Sequence, residues 1–250
     1  VKHPIFWLLM GVLMSVHWIL STIAFEYTLL ANAMLLGNTN PLYLLFLEPL
    51  VFHTRLTVRD VLFSLITLLG VLLLVFGKGF SFEHIASGDI YSLSAAFFFA
   101  IYAITARKRR NEFSFYVMMF WLFALSAFFM IIEGQILDFS MTDGPIPTQS
   151  WFYLLAIGFW CTALGHSAYN ISLRALRTDT ASVVALVGPV FAAIWGYLFF
   201  EETLSLQGFI GMCLTLVGIY SIVRSQVPKK YSIKDWFNRL GKGLGQLPPV

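Results

Sequence analysis

Charge is scarce in this chain. Asp, Glu, Lys and Arg supply 12% of its 250 residues, about half of the ~25% usual in a soluble domain. Cysteine is scarcer still: Cys161 and Cys213 are the two copies, and both fall inside apolar runs. Apolar surroundings keep such thiols unreactive, so no disulfide is expected. Several motifs are missing as well. There is no GxxxxGK[ST] loop to cradle ATP phosphates. There is no HExxH and no CxxC pair to hold zinc, and no GxSxG turn to present a nucleophilic serine. A primary pump, a zinc enzyme and a familiar hydrolase are thereby disfavoured. An enzyme is not expected, and neither a cofactor nor a metal is called for.

What fills the chain is apolar. Hydrophobic residues make up 58% and aromatic residues 17%. Eight runs read as helices: 4–23, 31–52, 58–76, 90–105, 115–132, 151–173, 181–200 and 206–223. Each is close to the ~20 residues needed to cross ~30 Å of hydrocarbon. Inside lipid every backbone N–H and C=O must be paired internally, which continuous helices achieve. The expected class is therefore an all-α integral membrane protein with eight visible transmembrane helices. The opening run is too long for a signal peptide and lacks a small-residue cleavage site.

The charges that exist are segregated. If the eight runs zigzag, fifteen of the sixteen Lys and Arg fall on one side, and Lys78 alone on the other. The opposite side collects Glu26, Glu83, Asp89, Glu133, Asp138, Asp143, Glu201 and Glu202. Cytoplasmic loops carry excess Lys and Arg, so both termini are expected in the cytoplasm. The run Arg107–Arg110 then reads as a cytoplasmic anchor, and Trp7, Tyr91 and Trp151 as interfacial belt residues. The tail 225–250, with aromatic residues among its Lys and Arg, could lie on anionic lipid as a short amphipathic helix. The net charge of +3 gives no reason to expect nucleic acid.

A repeat runs through the apolar runs. Residues 31–75 laid over 179–223, an offset of 148, pair Ala33 with Ala181, Pro41 with Pro189, Thr67 with Thr215 and Gly70 with Gly218 without a gap. Proline and glycine have specific backbone meaning, so those matches weigh most. Five helices separate the two copies, so they enter the membrane in opposite directions. That is the inverted-repeat architecture of many secondary transporters. FWLL (6–9) and FYLL (152–155) extend the likeness to runs one and six. Runs four to eight then form one five-helix unit, and runs one to three the last three helices of another. The expectation is a ten-helix, 5+5 bundle whose first two helices precede Val1. The units divide at 1–77, 88–224 and the tail 225–250.

ALVGPVFAAIWGYLFFEETLSLQGFIGMCLTLVGIYSI (185–222) resembles the second EamA-type repeat of the drug/metabolite transporter superfamily, and AFEYTLLANAMLLGNTNPLYLLFLEPL (24–50) the first. GDIYSLSAAFFFAIYAITARK (88–108) is similar to the opening helix of the second repeat. The turn Glu202-Thr203-Leu204-Ser205 is replaced in the first copy by Thr54-Arg55-Leu56-Thr57, so Glu202 is expected to cap a loop. The resemblance implies a carrier or exporter of small metabolites, and the short cytoplasmic loops without a large extra domain suggest a bacterial inner membrane. A membrane-embedded enzyme and a non-transporting scaffold are the alternatives. The implied partners are a small-molecule substrate and the bilayer, with a homodimer as a further expectation.

Candidate site residues are the polar groups stranded at mid-depth. His17, Asn38, Asn40, His166 and Tyr169 are expected to approach one cavity, because such groups are costly unless they face protein, water or ligand. Each also has a simple packing role, hydrogen bonding between helices at ~0.6 kcal/mol per contact. Pro41 and Pro189 should kink runs two and seven and free a carbonyl each. Glu48 lies about two helical turns (~11 Å) from the midplane. It is read either as pairing with Arg55 or Arg59 or as a proton-coupling site.

Overall fold

A computed structural model of the chain describes residues 3–28, 30–53, 55–76, 87–110, 112–137, 147–174, 176–200 and 205–226. Among them regular structure is helical throughout. The helices are α1 (Pro4–Tyr27), α2 (Leu30–Gly37), α3 (Asn40–Phe52), α4 (Val58–Phe76), α5 (Ser87–Arg109) and α6 (Phe115–Ile136). They continue with α7 (Thr148–Ala156), a π-helical stretch Ile157–Gly165, α8 (His166–Ser172), α9 (Thr178–Ala185), α10 (Val187–Phe200) and α11 (Leu206–Gln226). Five helical segments are long and apolar enough to cross a membrane: Pro4–Tyr27, Ser87–Arg109, Phe115–Ile136, Thr178–Phe199 and Leu206–Ser225. Lys78, Glu83, Glu202 and the basic tail beyond Gln226 lie outside the described residues.

Helix ends follow local chemistry. The Thr57 hydroxyl accepts from the Asp60 N–H (3.2 Å), while the Asp60 carboxylate accepts from the Thr57 N–H (3.1 Å). That reciprocal capping satisfies two donors at the start of α4. Ser114 caps α6 by accepting from Val117 N–H at 3.4 Å. α5 opens with Asp89 in its first turn and closes with Arg107, Lys108 and Arg109 in its last. Each charge complements the helix dipole at its own end.

Two of the expected continuous runs are broken. Run two splits into α2 and α3 at Asn38–Thr39, and run seven into α9 and α10 at Leu186. The breaks are 148 residues apart. Pro41 therefore sits in the first turn of α3, and Pro189 is the third residue of α10. The expected mid-helix kinks are corrected by this: each proline opens a new helix, where its missing N–H costs nothing. Pro49 is the proline inside α3.

α5 is the hub, packing against α1, α2, α3 and α9. Trp7, Met10, Met14, Tyr102, Met118, Leu122 and Leu173 form the main core around it. Trp7 is 3% exposed and stacks near Phe113 (centroids 4.5 Å), so it belongs to that core rather than to an interfacial belt. Trp151, by contrast, is exposed. On the far side α4 and α11 meet through small residues. A Cβ added to Gly70 would lie 2.5 Å from the Thr215 backbone nitrogen, one on Gly211 would lie 2.6 Å from Leu74 N, and one on Gly218 would strike Thr67 Oγ1. Rising numbers on α4 meet falling numbers on α11, so the two run antiparallel. The contact Gly70–Thr215 has its image in Gly218–Thr67 under the offset of 148. Both threonines are buried and bond back to the carbonyl four residues earlier, Thr67 to Phe63 (2.8 Å) and Thr215 to Gly211 (2.9 Å). The seam thus has local two-fold symmetry.

Candidate functional site: a polar interior sealed by charge at one end

Contacts at the helix ends define two poles. At one, Thr28 Oγ1 donates to Asp89 Oδ1 (2.6 Å) and Asn32 reaches the same oxygen at 3.5 Å. At the other, the end of α3 meets the end of α5, and the starts of α4 and α9 join them. The first is called the acidic end below, the second the basic end.

Below the acidic end is a cavity of about 200 Å³ lined by Ser21, Phe25, Ala33, Met34, Gly37, Asn38 and Ser92. Asn38 donates its side-chain amide to the Met34 carbonyl (2.6 Å), which also accepts from the Asn38 backbone N–H at 3.2 Å. One turn deeper on α1, His17 Nδ1 lies 2.9 Å from the Ala95 carbonyl. A carbonyl only accepts, so that nitrogen carries the proton. Ser21 donates to the His17 carbonyl and links the cavity to this layer.

At mid-depth the Trp18 indole N–H donates to His166 Nε2 at 3.3 Å. Nε2 must therefore be unprotonated. Trp18 and His166 are 148 residues apart, the offset of the repeat, so equivalent positions touch. Phe99 joins the layer, with ring centroids 5.0 Å from His17, 6.2 Å from His166 and 5.1 Å from Tyr169. Towards the basic end, Tyr169 OH and Ser182 Oγ are 2.8 Å apart, and Tyr102 OH donates to Asn170 Oδ1 at 2.8 Å. His17, His166 and Tyr169 are brought together around Phe99. Asn38 belongs to the outer cavity, and Asn40 is buried in the first turn of α3.

The basic end is closed by five charged side chains. Glu48, wholly buried, forms an ion pair with Arg107 Nη1 and lies 3.5 Å from Arg177 Nε. Its second oxygen accepts from the Asp179 backbone N–H at 2.9 Å, so it also caps α9. Arg177 reaches Asp60 Oδ2 (3.2 Å) and Asp179 Oδ2 (2.8 Å) with its two terminal nitrogens. Arg107 stacks over Phe52 at 4.5 Å. Burial opposes the charge on Arg177, but Asp179, Glu48 and Asp60 outweigh it and leave its proton held more tightly than usual. Two expectations change here. Glu48 pairs with Arg107 and Arg177, not with Arg55 or Arg59, because α3 ends against α5 and α9. Arg107 is an 8% exposed partner of that carboxylate rather than a surface anchor.

Sequence reasoning missed Asp60, Arg107, Arg177, Asp179, Trp18, Tyr102, Asn170 and Ser182. Thr57-x-x-Asp60 is a recognisable capping pattern, and Asp179 stands in the first turn of an apolar run. The Trp18–His166 pairing was available from the offset itself.

A helical membrane protein with broken helices and a polar interior is a transporter architecture. The EamA-like transporter family model matches residues 86–224, more than half of the chain, and the chain belongs to that family. The pseudopaline exporter CntI of Pseudomonas aeruginosa is 26% identical over 222 residues, covering 88% of this chain and 75% of the exporter. An uncharacterized transporter of Archaeoglobus fulgidus is 24% identical, covering 78% of this chain and 68% of its own length. A solved crystal structure aligns with a TM-score of 0.73 at 18% identity, covering 90% of this chain and 77% of that one; this likeness concerns the fold alone. These relatives make the chain similar to named membrane transporters.

Proposed function

We propose that this chain is a secondary carrier that exports or equilibrates a small polar or amphipathic metabolite by alternating access. Its eight apolar runs all cross the membrane in this reading, with both termini in the cytoplasm of a bacterial cell. His17, His166 and Tyr169 line the central site, and Asn38 and Asn40 face its outer approach. The observation that carries the reading is the Trp18–His166 hydrogen bond. Equivalent positions of two oppositely oriented repeats meet there, at mid-depth, among polar and aromatic side chains. Carriers of this architecture bind substrate at such a repeat interface and rock around it. The pseudopaline exporter named above supports export as the direction of transport.

The ten-helix reading has its own support. α1 packs between α5 and α6. Its counterpart under the offset, residues 152–175, has no buried residue as far as Gly165, although Asn170 and Leu173 beyond it are buried. Two further helices, equivalent to α5 and α6, would cover it. The experiment is a metabolite screen by thermal stabilisation of the purified protein, since a ligand that binds the native state raises its apparent stability. A saturable shift that His166→Ala abolishes is the expected result. Failure of every polar metabolite to stabilise the protein would remove the carrier reading.

A further inference from the structure

Four of the five charges at the basic end have no ionisable counterpart in the other repeat, and the offset gives Arg107 no equivalent in this sequence. Under the offset of 148, Glu48 corresponds to Gly196, Asp60 to Gly208, Arg177 to Leu29 and Asp179 to Ala31. None of the four can ionise. The pseudo-two-fold that relates the helices therefore does not relate their electrostatics.

All the links within the cluster except Arg177–Asp179 also cross between the two repeats. Glu48 and Asp60 belong to α3 and α4 of the first repeat; Arg107, Arg177 and Asp179 belong to α5 and the start of α9 in the second. The basic end cannot part along the repeat interface without separating Glu48 from Arg107 and Arg177, and Asp60 from Arg177. Those charges are buried, so each would have to be rehydrated or re-paired as the end opened. Arg110 stands close enough for its charge to act on Glu48 and Arg107, yet its hydrogen bond is to the Leu176 carbonyl at 3.4 Å.

We propose that Glu48, Asp60, Arg107, Arg177 and Asp179 form a one-sided ion lock, which makes the conformation closed at the basic end the resting state of the carrier. The inference rests on the alternating-access reading. In an inverted-repeat protein the two access states arise by exchanging the conformations of the repeats, so a symmetric molecule would populate both. A lock whose charges the other repeat replaces with non-ionisable residues at four positions breaks that balance. Substrate arriving from the basic side must then supply the difference in free energy, while substrate on the acidic side meets the cavity lined by Ser21, Asn38 and Ser92. A ligand shifts such an equilibrium only by its differential affinity for the two states.

The test reads accessibility and needs no substrate. On a Cys161→Ser, Cys213→Ser background, Ser182→Cys reports the interior just behind the lock, because Ser182 is wholly buried one turn from Asp179. Ser21→Cys reports the cavity at the acidic end. A membrane-impermeant maleimide is applied to each face of vesicles holding the full chain. With Arg177→Ala, labelling at Ser182→Cys from the basic face should rise about tenfold or more, while labelling at Ser21→Cys from the acidic face falls. Asp60→Asn, which leaves the Glu48–Arg107 pair in place, should move both reporters the same way by less. It also keeps the test available if Arg177→Ala does not fold. Asp89→Asn should leave Ser182→Cys unchanged. Unaltered labelling at Ser182→Cys in both lock variants would overturn the proposal. So would a rise at both reporters together, since that signals general loosening. Saturable flux accompanying either of those outcomes would leave the carrier reading standing and remove the lock alone.

Discussion

The two ends of this bundle are built from related helices and held by different forces. At the basic end three carboxylates and two guanidiniums interlock across four helices, all buried except the partly buried Arg177. At the acidic end a threonine and an asparagine share one aspartate oxygen. The backbone frame is repeated, to the point that both helix breaks and both threonine back-bonds recur at the offset of 148. The charges are not repeated. Sequence similarity between the repeats sets where the helices lie; the residues that differ decide which end is harder to open.

The contrast should be visible first in stability. Arg177→Ala leaves Glu48, Asp60 and Asp179 short of a guanidinium, and stranding buried charge typically costs about 3–5 kcal/mol. Thermal unfolding in detergent should show the largest loss here among the substitutions considered. An unchanged midpoint would mean that water already reaches the cluster. The seam that both ends share comes next. Gly70→Ala places a methyl against the Thr215 backbone, and Gly218→Ala against Thr67 Oγ1; overpacking of this kind costs roughly 1–3 kcal/mol. Because the contacts are two-fold images, the two substitutions should cost alike. A large inequality in their unfolding midpoints would break the symmetry argument.

At the acidic end Asp89→Asn removes the acceptor's charge but keeps an acceptor oxygen. Hydrogen bonds between membrane helices average ~0.6 kcal/mol, so its effect on unfolding should be the smallest of the end-located changes. A loss matching that of Arg177→Ala would erase the distinction between the ends. Between them lies the Trp18–His166 contact. His166→Ala should lower substrate binding while shifting the unfolding midpoint little. Collapse of the fold in that variant would reassign His166 to packing.

Much of the fold was legible in composition and spacing. Run three coincides with α4, and the Gly70/Gly218 match picks out two glycines that the α4–α11 seam brings against Thr215 and Thr67, although the seam itself was not expected. The helix breaks were not legible, because a proline inside an apolar run reads the same whether it bends a helix or begins one. Asn38, at the first break, is expected from the sequence as a cavity polar group, and it lines the outer cavity. The charge cluster was hidden by sequence distance: Glu48 and the Asp179 amide that it accepts from are 131 residues apart. Arg107 was masked by its neighbours, since three of the four cations in Arg107–Arg110 lack its burial. Of the candidate site, His17, His166 and Tyr169 converge, and they do so through Phe99, an aromatic residue with nothing in its local sequence to single it out.

The most direct test of the account is flux. The full chain, reconstituted in proteoliposomes, is supplied with the metabolite that stabilises it, and uptake is measured against concentration with and without the same metabolite preloaded inside. The account predicts uptake that saturates and is accelerated by the preloaded metabolite, because a carrier returns faster when occupied. Uptake that rises linearly without saturation and ignores the preload, or no uptake above empty vesicles, would contradict it.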